Sequence, residues 1–113
     1  MDLDIRQSGT ICTIKLKGRL ISGDPVKQFD TAYQSALGDG YIYLVVNLEE
    51  LPYIDSSGIG ALVNALRVSS KVGGNTKLVK PSSFVAKTLK MCGLLGLFGV
   101  FETEAEAAAA CGG

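Results

Sequence analysis

Residues Tyr41–Gly60 read YIYLVVNLEELPYIDSSGIG, a near-continuous apolar run followed by a cluster of residues that start helices. The run Tyr41–Leu48 barely alternates between apolar and polar residues, which is typical of a central strand covered on both faces. Pro52 interrupts the run, and helical spacing of apolar residues follows over Ile59–Val68. The stretch therefore predicts a buried strand that leads Ser56–Ser57 into the first turn of a helix. Free backbone N–H groups favour negative charge there.

The elements on either side predict an α/β fold. Alternating residues predict two N-terminal strands, over Asp2–Arg6 and Cys12–Lys17, joined as a hairpin. Asp24-Pro25 predicts a helix with Asp24 as its N-cap. Further predictions are a strand at Lys77–Lys80, a helix opened by Pro81–Ser83, a strand within Leu97–Glu102 and a helix opened by Thr103. We expect a mixed sheet of about five strands with about four α-helices, the hairpin preceding alternating α and β elements.

Length and composition favour a single globular domain. A chain of 113 residues is long enough to bury a hydrophobic core. We expect residues 1–113 to form one domain, with residues 107–113 as a frayed tail. Eleven basic residues balance eleven acidic ones, so no net field attracts nucleic acid or an acidic membrane.

The residue types present exclude several chemistries. The chain contains no histidine, so it cannot build a Ser-His-Asp or Cys-His nucleophile. It has no Walker-type phosphate loop and no GxSxG motif, and Cys12, Cys92 and Cys111 lack zinc-site spacing. We expect no enzyme activity, metal or cofactor. The N-terminus lacks the pattern of a secretory signal, and the longest apolar run is too short to span a bilayer, so we expect a cytoplasmic protein without membrane insertion.

Two interpretations of Asp55–Gly58 are open from the residues alone. An aspartate or serine that caps a helix is the simpler one. A phosphate-bearing switch is the other, because three successive capping residues exceed what one helix start requires. Gly58 and Gly60 also lie in the first turn, where each costs about 0.5–1 kcal/mol relative to alanine. Small residues there would leave the surface flat and the serines open to a large partner.

The segment Val46–Gly60 resembles the signature of STAS domains, specifically those of bacterial anti-sigma factor antagonists. Further matches are Leu16–Leu20 (LKGRL), Gly73–Leu78 (GGNTKL) and Met91–Leu94 (MCGL). The resemblance implies a STAS fold and a protein-binding function in transcription regulation. In that family a GHKL-type serine kinase, itself the anti-sigma factor, phosphorylates the antagonist, and a PP2C-type phosphatase removes the phosphate. The unphosphorylated antagonist binds the kinase and frees a sigma factor.

The resemblance assigns roles by position. Ser56, directly after the aspartate, would be the phosphate acceptor, with Ser57 as the second choice. The partner-binding residues would be Asp55, Ser57, Gly58, Ile59 and Leu62. Asp55 would cap and shape the turn, and Gly58 would keep it open. The chain departs from the family pattern after Leu20, where Ile21–Gly23 precede the next aspartate.

Other functions fit parts of the sequence. STAS domains also serve as accessory or scaffold subunits of lipid-transport or stress-sensing complexes. A receiver-like domain phosphorylated on Asp55 is a second alternative, although the strand that ends near Leu16 lacks the acidic pair that holds magnesium in receivers. A nucleotide site is a third, although no GxGxxG opens a helix. We expect a monomer or a weak homodimer.

Overall fold

The computed structural model describes residues 1–111. The strands are β1 (Asp2–Ser8), β2 (Ile11–Leu20), β3 (Tyr43–Ile54), β4 (Asn75–Val79) and β5 (Val100–Phe101). The helices are α1 (Asp24–Gly38), α2 (Ser56–Lys71), α3 (Ser83–Met91), α4 (Leu95–Phe98) and α5 (Glu104–Ala110). This arrangement confirms the predicted α/β fold with an N-terminal hairpin, and adds the short helix α4.

The five strands form one mixed sheet in the order β1-β2-β3-β4-β5. β1 and β2 are antiparallel, and the remaining neighbours are parallel. β3 is central, and its successive residues Val45 and Val46 are both fully buried although they point to opposite faces. The apolar run is therefore a strand covered on both sides, as its lack of alternation predicts.

The two faces of the sheet carry cores of different size. The larger core joins Ile14, Val46 and Leu78 to buried side chains of α1, α2, α3 and α4, such as Phe29 and Leu62. The smaller core lies on the opposite face and consists of Val45, Val79, Ala107 and Cys111. β2 leads into α1, β3 leads into α2, and both helices pack on the same face of the sheet. The carboxyl ends of these two neighbouring strands therefore lie beside the beginnings of α1 and α2.

The predicted frayed tail at residues 107–113 is instead packed structure as far as the structure describes it. Ala107 and Cys111 are buried against β3 and β4, and α5 runs to Ala110. Alanine side chains are short, so this helix lies close to the sheet. Burial of Cys111 raises the pKa of its thiol. Residues 112–113 lie outside the described residues.

Pro52 does not end the central strand. β3 continues through it to Ile54, because its pairing with β2 is irregular there. Lys17 pairs with Glu50 and Arg19 pairs with Tyr53, so β3 carries one residue more than β2 between the two pairs. Proline, which cannot donate a ladder hydrogen bond, is tolerated at such a bulge.

Two other element boundaries differ from the prediction. The N-cap of α1 is Gly23, which has no side-chain cap, and Asp24 is the first helical residue. Gly23 has a φ of 101°, in the region that glycine adopts without strain. Within Leu97–Glu102, only Val100 and Phe101 are in a strand, because α4 takes the residues up to Phe98.

Candidate functional site

Asp55 organises the turn between β3 and α2. It is the N-cap of α2, and its Oδ1 accepts a hydrogen bond from the backbone N–H of Gly58 at 2.9 Å. Its Oδ2 accepts one from the backbone N–H of Ser22 at 3.0 Å, and its own N–H donates to the carbonyl of Leu20 at 3.3 Å. Asp55 therefore connects the start of α2 to the loop before α1, which is the loop where the sequence departs from the STAS pattern.

These hydrogen bonds also set the charge of the turn. The backbone N–H of Ser22, followed by that of Gly58, lowers the pKa of the Asp55 carboxyl below its ordinary value. Asp55 is therefore ionised at neutral pH. Because both of its oxygens already accept backbone hydrogen bonds, the geometry favours a structural role over that of a receiver-type phosphoryl acceptor.

Ser56 and Ser57 are the first two residues of α2, and both are exposed. Asp55 supplies the cap, so neither serine hydroxyl is needed for it. Both hydroxyls stand at the positive end of a 16-residue helix, where an added anion is stabilised. The site presents two hydroxyls to solvent at a helix end that the ionised Asp55 already caps.

Gly58 and Leu62 do not lie on the surface where the resemblance assigned them. Gly58 is buried, and a Cβ atom there would lie 2.2 Å from the Leu20 carbonyl oxygen. Glycine is required because α2 approaches the end of β2 closely, and it does not hold the turn open to solvent. Leu62 is completely buried in the larger core. Ile59 is half-buried against that core, so it offers only part of its side chain to a partner.

Three further residues form a surface next to this turn that the sequence does not indicate. Tyr53 stacks on Phe84 with ring centroids 5.1 Å apart and an interplanar angle of 19°. The guanidinium of Arg19 lies 5.9 Å from the centre of the Tyr53 ring. Tyr53 and Phe84 are 40% and 47% exposed. We call Arg19, Tyr53 and Phe84 the aromatic patch; tyrosine, phenylalanine and arginine are enriched in protein interfaces.

The patch was missed because its members come from three elements. Arg19 lies in β2, Tyr53 in β3 and Phe84 in α3. The pairing of Arg19 with Tyr53 depends on the bulged register, and the stacking depends on where α3 packs. The only sequence signal for the patch is that Phe84, an apolar residue, lies in the first turn of a capped helix. An apolar residue at that position is equally consistent with a place in the core.

The described residues limit other chemistry at the site. No group of three or more histidine, cysteine, aspartate or glutamate side chains among residues 1–111 is arranged to hold a metal ion. In the same part of the chain, no helix combines the length and apolar character that crossing a bilayer requires. The exposed hydroxyls, the capped helix end and the aromatic patch together suit a protein-binding surface.

Comparison with known proteins agrees with this geometry. The family model described as STAS domain matches residues 2–107. The chain belongs to the STAS domain family. This STAS domain is 33% identical over 82 residues to the anti-sigma F factor antagonist of Lysinibacillus sphaericus, a match that spans 72% of this chain and 69% of that protein. Anti-sigma factor antagonists of this family are regulatory binding proteins and not enzymes.

Two solved structures resemble the STAS domain over nearly its whole length. The anti-sigma factor antagonist SpoIIAA in its unphosphorylated form has a TM-score of 0.81 and 28% identity, covering 95% of this chain and 93% of that one. The Bacillus cell fate determinant SpoIIAA in the phosphorylated form has a TM-score of 0.77 and 27% identity, covering 96% and 97%. The resemblance first seen in the sequence motifs is confirmed at the level of the family and the fold.

Proposed function

We propose that this STAS protein is an anti-sigma factor antagonist whose binding is switched by phosphorylation of Ser56. Unphosphorylated, it binds an anti-sigma factor that is also a GHKL-type serine kinase, and a sigma factor is released in the cytoplasm. The kinase phosphorylates Ser56, and a PP2C-type phosphatase restores the hydroxyl. The observation that carries the proposal is the division of roles at the start of α2, where Asp55 caps the helix and Ser56 stays exposed.

The relatives support a phosphate-dependent function. SpoIIAA, at 27–28% identity, has been solved in both a phosphorylated and an unphosphorylated form. Its unphosphorylated form is described as an anti-sigma factor antagonist. The proposal extends the same two states to this chain, with Ser56 as the acceptor.

A phosphate at Ser56 should leave the fold intact. A phosphoserine carries about −1.5 to −2 charge at pH 7. At the N-terminus of a helix, negative charge is stabilised by up to about 1 kcal/mol. Ser56 is exposed, so the phosphate displaces no buried group. The modification therefore acts on the surface and not on folding.

The same phosphate should oppose docking. The surface beside Ser56 is partly apolar, with the exposed part of Ile59 and the aromatic patch. Burying a charge against a partner that matches this surface costs several kcal/mol unless the partner supplies a compensating group. A loss of about 2.8 kcal/mol weakens binding about a hundredfold. The switch therefore requires no change of backbone conformation.

Site mapping tests the acceptor. The protein is incubated with candidate GHKL-type kinases and ATP, and the modified residue is located by mass spectrometry. We expect phosphate on the wild type and on Ser57→Ala, but not on Ser56→Ala. Ser83→Ala is the matched control, because Ser83 is also an exposed first residue of a capped helix. Phosphorylation that persists in Ser56→Ala would contradict the assignment.

Binding measurements test the switch. In calorimetric titrations with the kinase that modifies the protein, Ser56→Ala should bind like the wild type and Ser56→Asp about a hundredfold more weakly. Ser70→Asp adds the same charge at the exposed far end of α2 and should bind nearly normally. Equal affinity of the two Ser56 variants would refute electrostatic blocking.

A further inference from the structure

The two edges of the sheet are protected very differently. β5 ends one edge with only two residues, which limits the pairing it can offer. β1 ends the other edge with seven residues, DLDIRQS, paired to β2 without a register shift. Natural edge strands are commonly blunted by shortness, charged side chains, proline or bulges. β1 has no proline or bulge, and its charged residues Asp4 and Arg6 are of opposite sign, so a second copy can pair them. Its outer side is a regular template for another strand.

The hydrogen bonds of β2 show which backbone groups of β1 face outward, away from β2. The carbonyl of Thr10 accepts a hydrogen bond from the N–H of Tyr43, so Thr10 points toward β3. Backbone groups alternate in direction along a strand, so those of Ile11 and Thr13 point toward β1. Their partners in β1 are Ser8 and Arg6. The outward N–H and C=O groups of β1 therefore belong to Leu3, Ile5 and Gln7.

A groove runs beside this edge. It lies between β1 and α1 and has a volume of about 600 Å³. Its apolar part consists of Leu3 and Ile5 on the strand and Ala32 and Ala36 on the helix, and the rest of its lining is polar, as at Gln7. Ile5 is 44% exposed, although it is a large apolar residue near the middle of the strand. The edge thus combines free backbone groups with uncovered apolar surface on the α1 side of the sheet.

We propose that β1 pairs antiparallel with β1 of a second copy of this chain, in a register centred on Ile5. Outward-facing residues then meet each other, with Ile5 opposite Ile5 and Leu3 opposite Gln7. On the other face of the strand, Asp4 of each copy lies opposite Arg6 of the other copy. The pairing therefore makes two cross-strand ion pairs by symmetry.

The charge pattern selects this register over its neighbours. In the neighbouring registers that still place outward-facing residues opposite each other, the centre of the β1–β1 pair moves along β1 by one residue. Centring on Asp4 places Asp4 opposite Asp4, and centring on Arg6 places Arg6 opposite Arg6. Like charges directly opposite each other destabilise a strand pair. Arg6 is already held on this face by its Nη2 atom, 2.8 Å from Glu104, so its position is set before pairing.

The pairing joins two sheets into one and leaves the Ser56 turn accessible. Each copy keeps its α1 on the same side of the joined sheet, and Ile5 of the second copy covers the mouth of the groove. The β1 edge contains none of the residues of the turn, Asp55–Gly58, or of the aromatic patch. An experiment can therefore disprove self-association without disproving the proposed phosphorylation switch, and the reverse.

Analytical ultracentrifugation over a range of protein concentrations tests the proposal. The wild type should show a reversible monomer–dimer equilibrium. Asp4→Arg and Arg6→Asp should each weaken dimerisation by about tenfold or more, because both ion pairs become repulsive. Asp2→Arg is the matched control on the same face, since Asp2 lies opposite Ser8 and should dimerise nearly normally.

Mixing the two charge-reversed variants provides the decisive test. The Asp4→Arg strand carries only positive charge between Leu3 and Gln7, and the Arg6→Asp strand only negative charge, so a 1:1 mixture should form heterodimers. The amides of Leu3, Ile5 and Gln7 should gain hydrogen-exchange protection with concentration, whereas that of Arg6 should not. If circular dichroism shows Arg6→Asp to be unfolded, Ile5→Lys, which leaves the Glu104 contact intact, replaces it in the ultracentrifugation measurement of dimerisation.

Three results would overturn the proposal. One is a wild type that stays monomeric at every concentration. Another is a dimer that folded Asp4→Arg and Ile5→Lys variants retain at wild-type strength, because the interface would then lie elsewhere. The third is failure of the folded, oppositely charged variants to associate when mixed.

Discussion

The beginnings of α2 and α3 look alike in sequence but are built differently. At α3, Ser82 is itself the cap: its Oγ accepts from the N–H of Val85 at 3.4 Å and donates to the carbonyl of Leu51 at 3.0 Å. At α2, Asp55 takes the capping role and Ser56 is exposed. A serine hydroxyl used by the fold is not free for modification. The comparison indicates that a modifiable serine arises where another residue provides the cap.

The largest expected effect tests how tightly the start of α2 is packed. Gly58→Ala should lower the free energy of unfolding by about 3 kcal/mol, because the added Cβ would overlap the Leu20 carbonyl, which is backbone and cannot rotate away. Gly60→Ala is the control: its Cβ would meet nothing within 4 Å, so it should stabilise the helix by about 0.5–1 kcal/mol. Urea unfolding measures both. Similar effects at the two glycines would disprove the close approach of α2 to β2.

A smaller effect separates the two kinds of serine. Ser82→Ala should cost about 1–2 kcal/mol of unfolding free energy, because it removes a helix cap and the hydrogen bond to Leu51. Ser56→Ala and Ser83→Ala should each change stability by less than about 0.5 kcal/mol. Thermal unfolding of the three variants provides the comparison. A large loss in Ser56→Ala would mean that its hydroxyl is part of the fold.

The pH dependence of the α2 cap sharpens the comparison further. The pKa of Asp55 is lowered in the folded state, so its carboxylate contributes stability above the unfolded value of about 3.9, and this contribution is lost as the pH falls through the folded pKa. Asp55→Asn keeps an oxygen for Gly58 but directs an amide toward the Ser22 N–H. It should be less stable than the wild type at pH 7, and the difference should shrink below about pH 4. A difference that does not vary with pH would contradict the Ser22 contact.

Much of the fold could be predicted because the relevant signals are local. The run Tyr41–Leu48 indicates a strand buried on both faces, and the structure places β3 in the middle of the sheet. The capping residues after Ile54 locate the start of α2 to within a few residues. These features depend on the periodicity and chemistry of neighbouring residues, which the sequence contains directly.

The errors share a different origin. Leu62 and Ile59 both fit the apolar side of α2, yet only packing decides that Leu62 is sealed in the core while Ile59 is half-exposed. The alanine-rich segment of α5 has little amphipathic pattern, so the buried positions of Ala107 and Cys111 depend on the second face of β3 and β4. Each outcome depends on residues far along the chain.

The sequence by itself determined the order of the strands and of the helices other than α4, the family, and the placement of Ser56 at a helix start, since each follows from short-range pattern or motif. Only the tertiary structure decided that Asp55 binds the N–H of Ser22, that Gly58 lies against Leu20, and that Arg19, Tyr53 and Phe84 meet. The physical reason is that hydrogen bonds and close packing between distant segments depend on three-dimensional distances. Local periodicity carries no information about those distances.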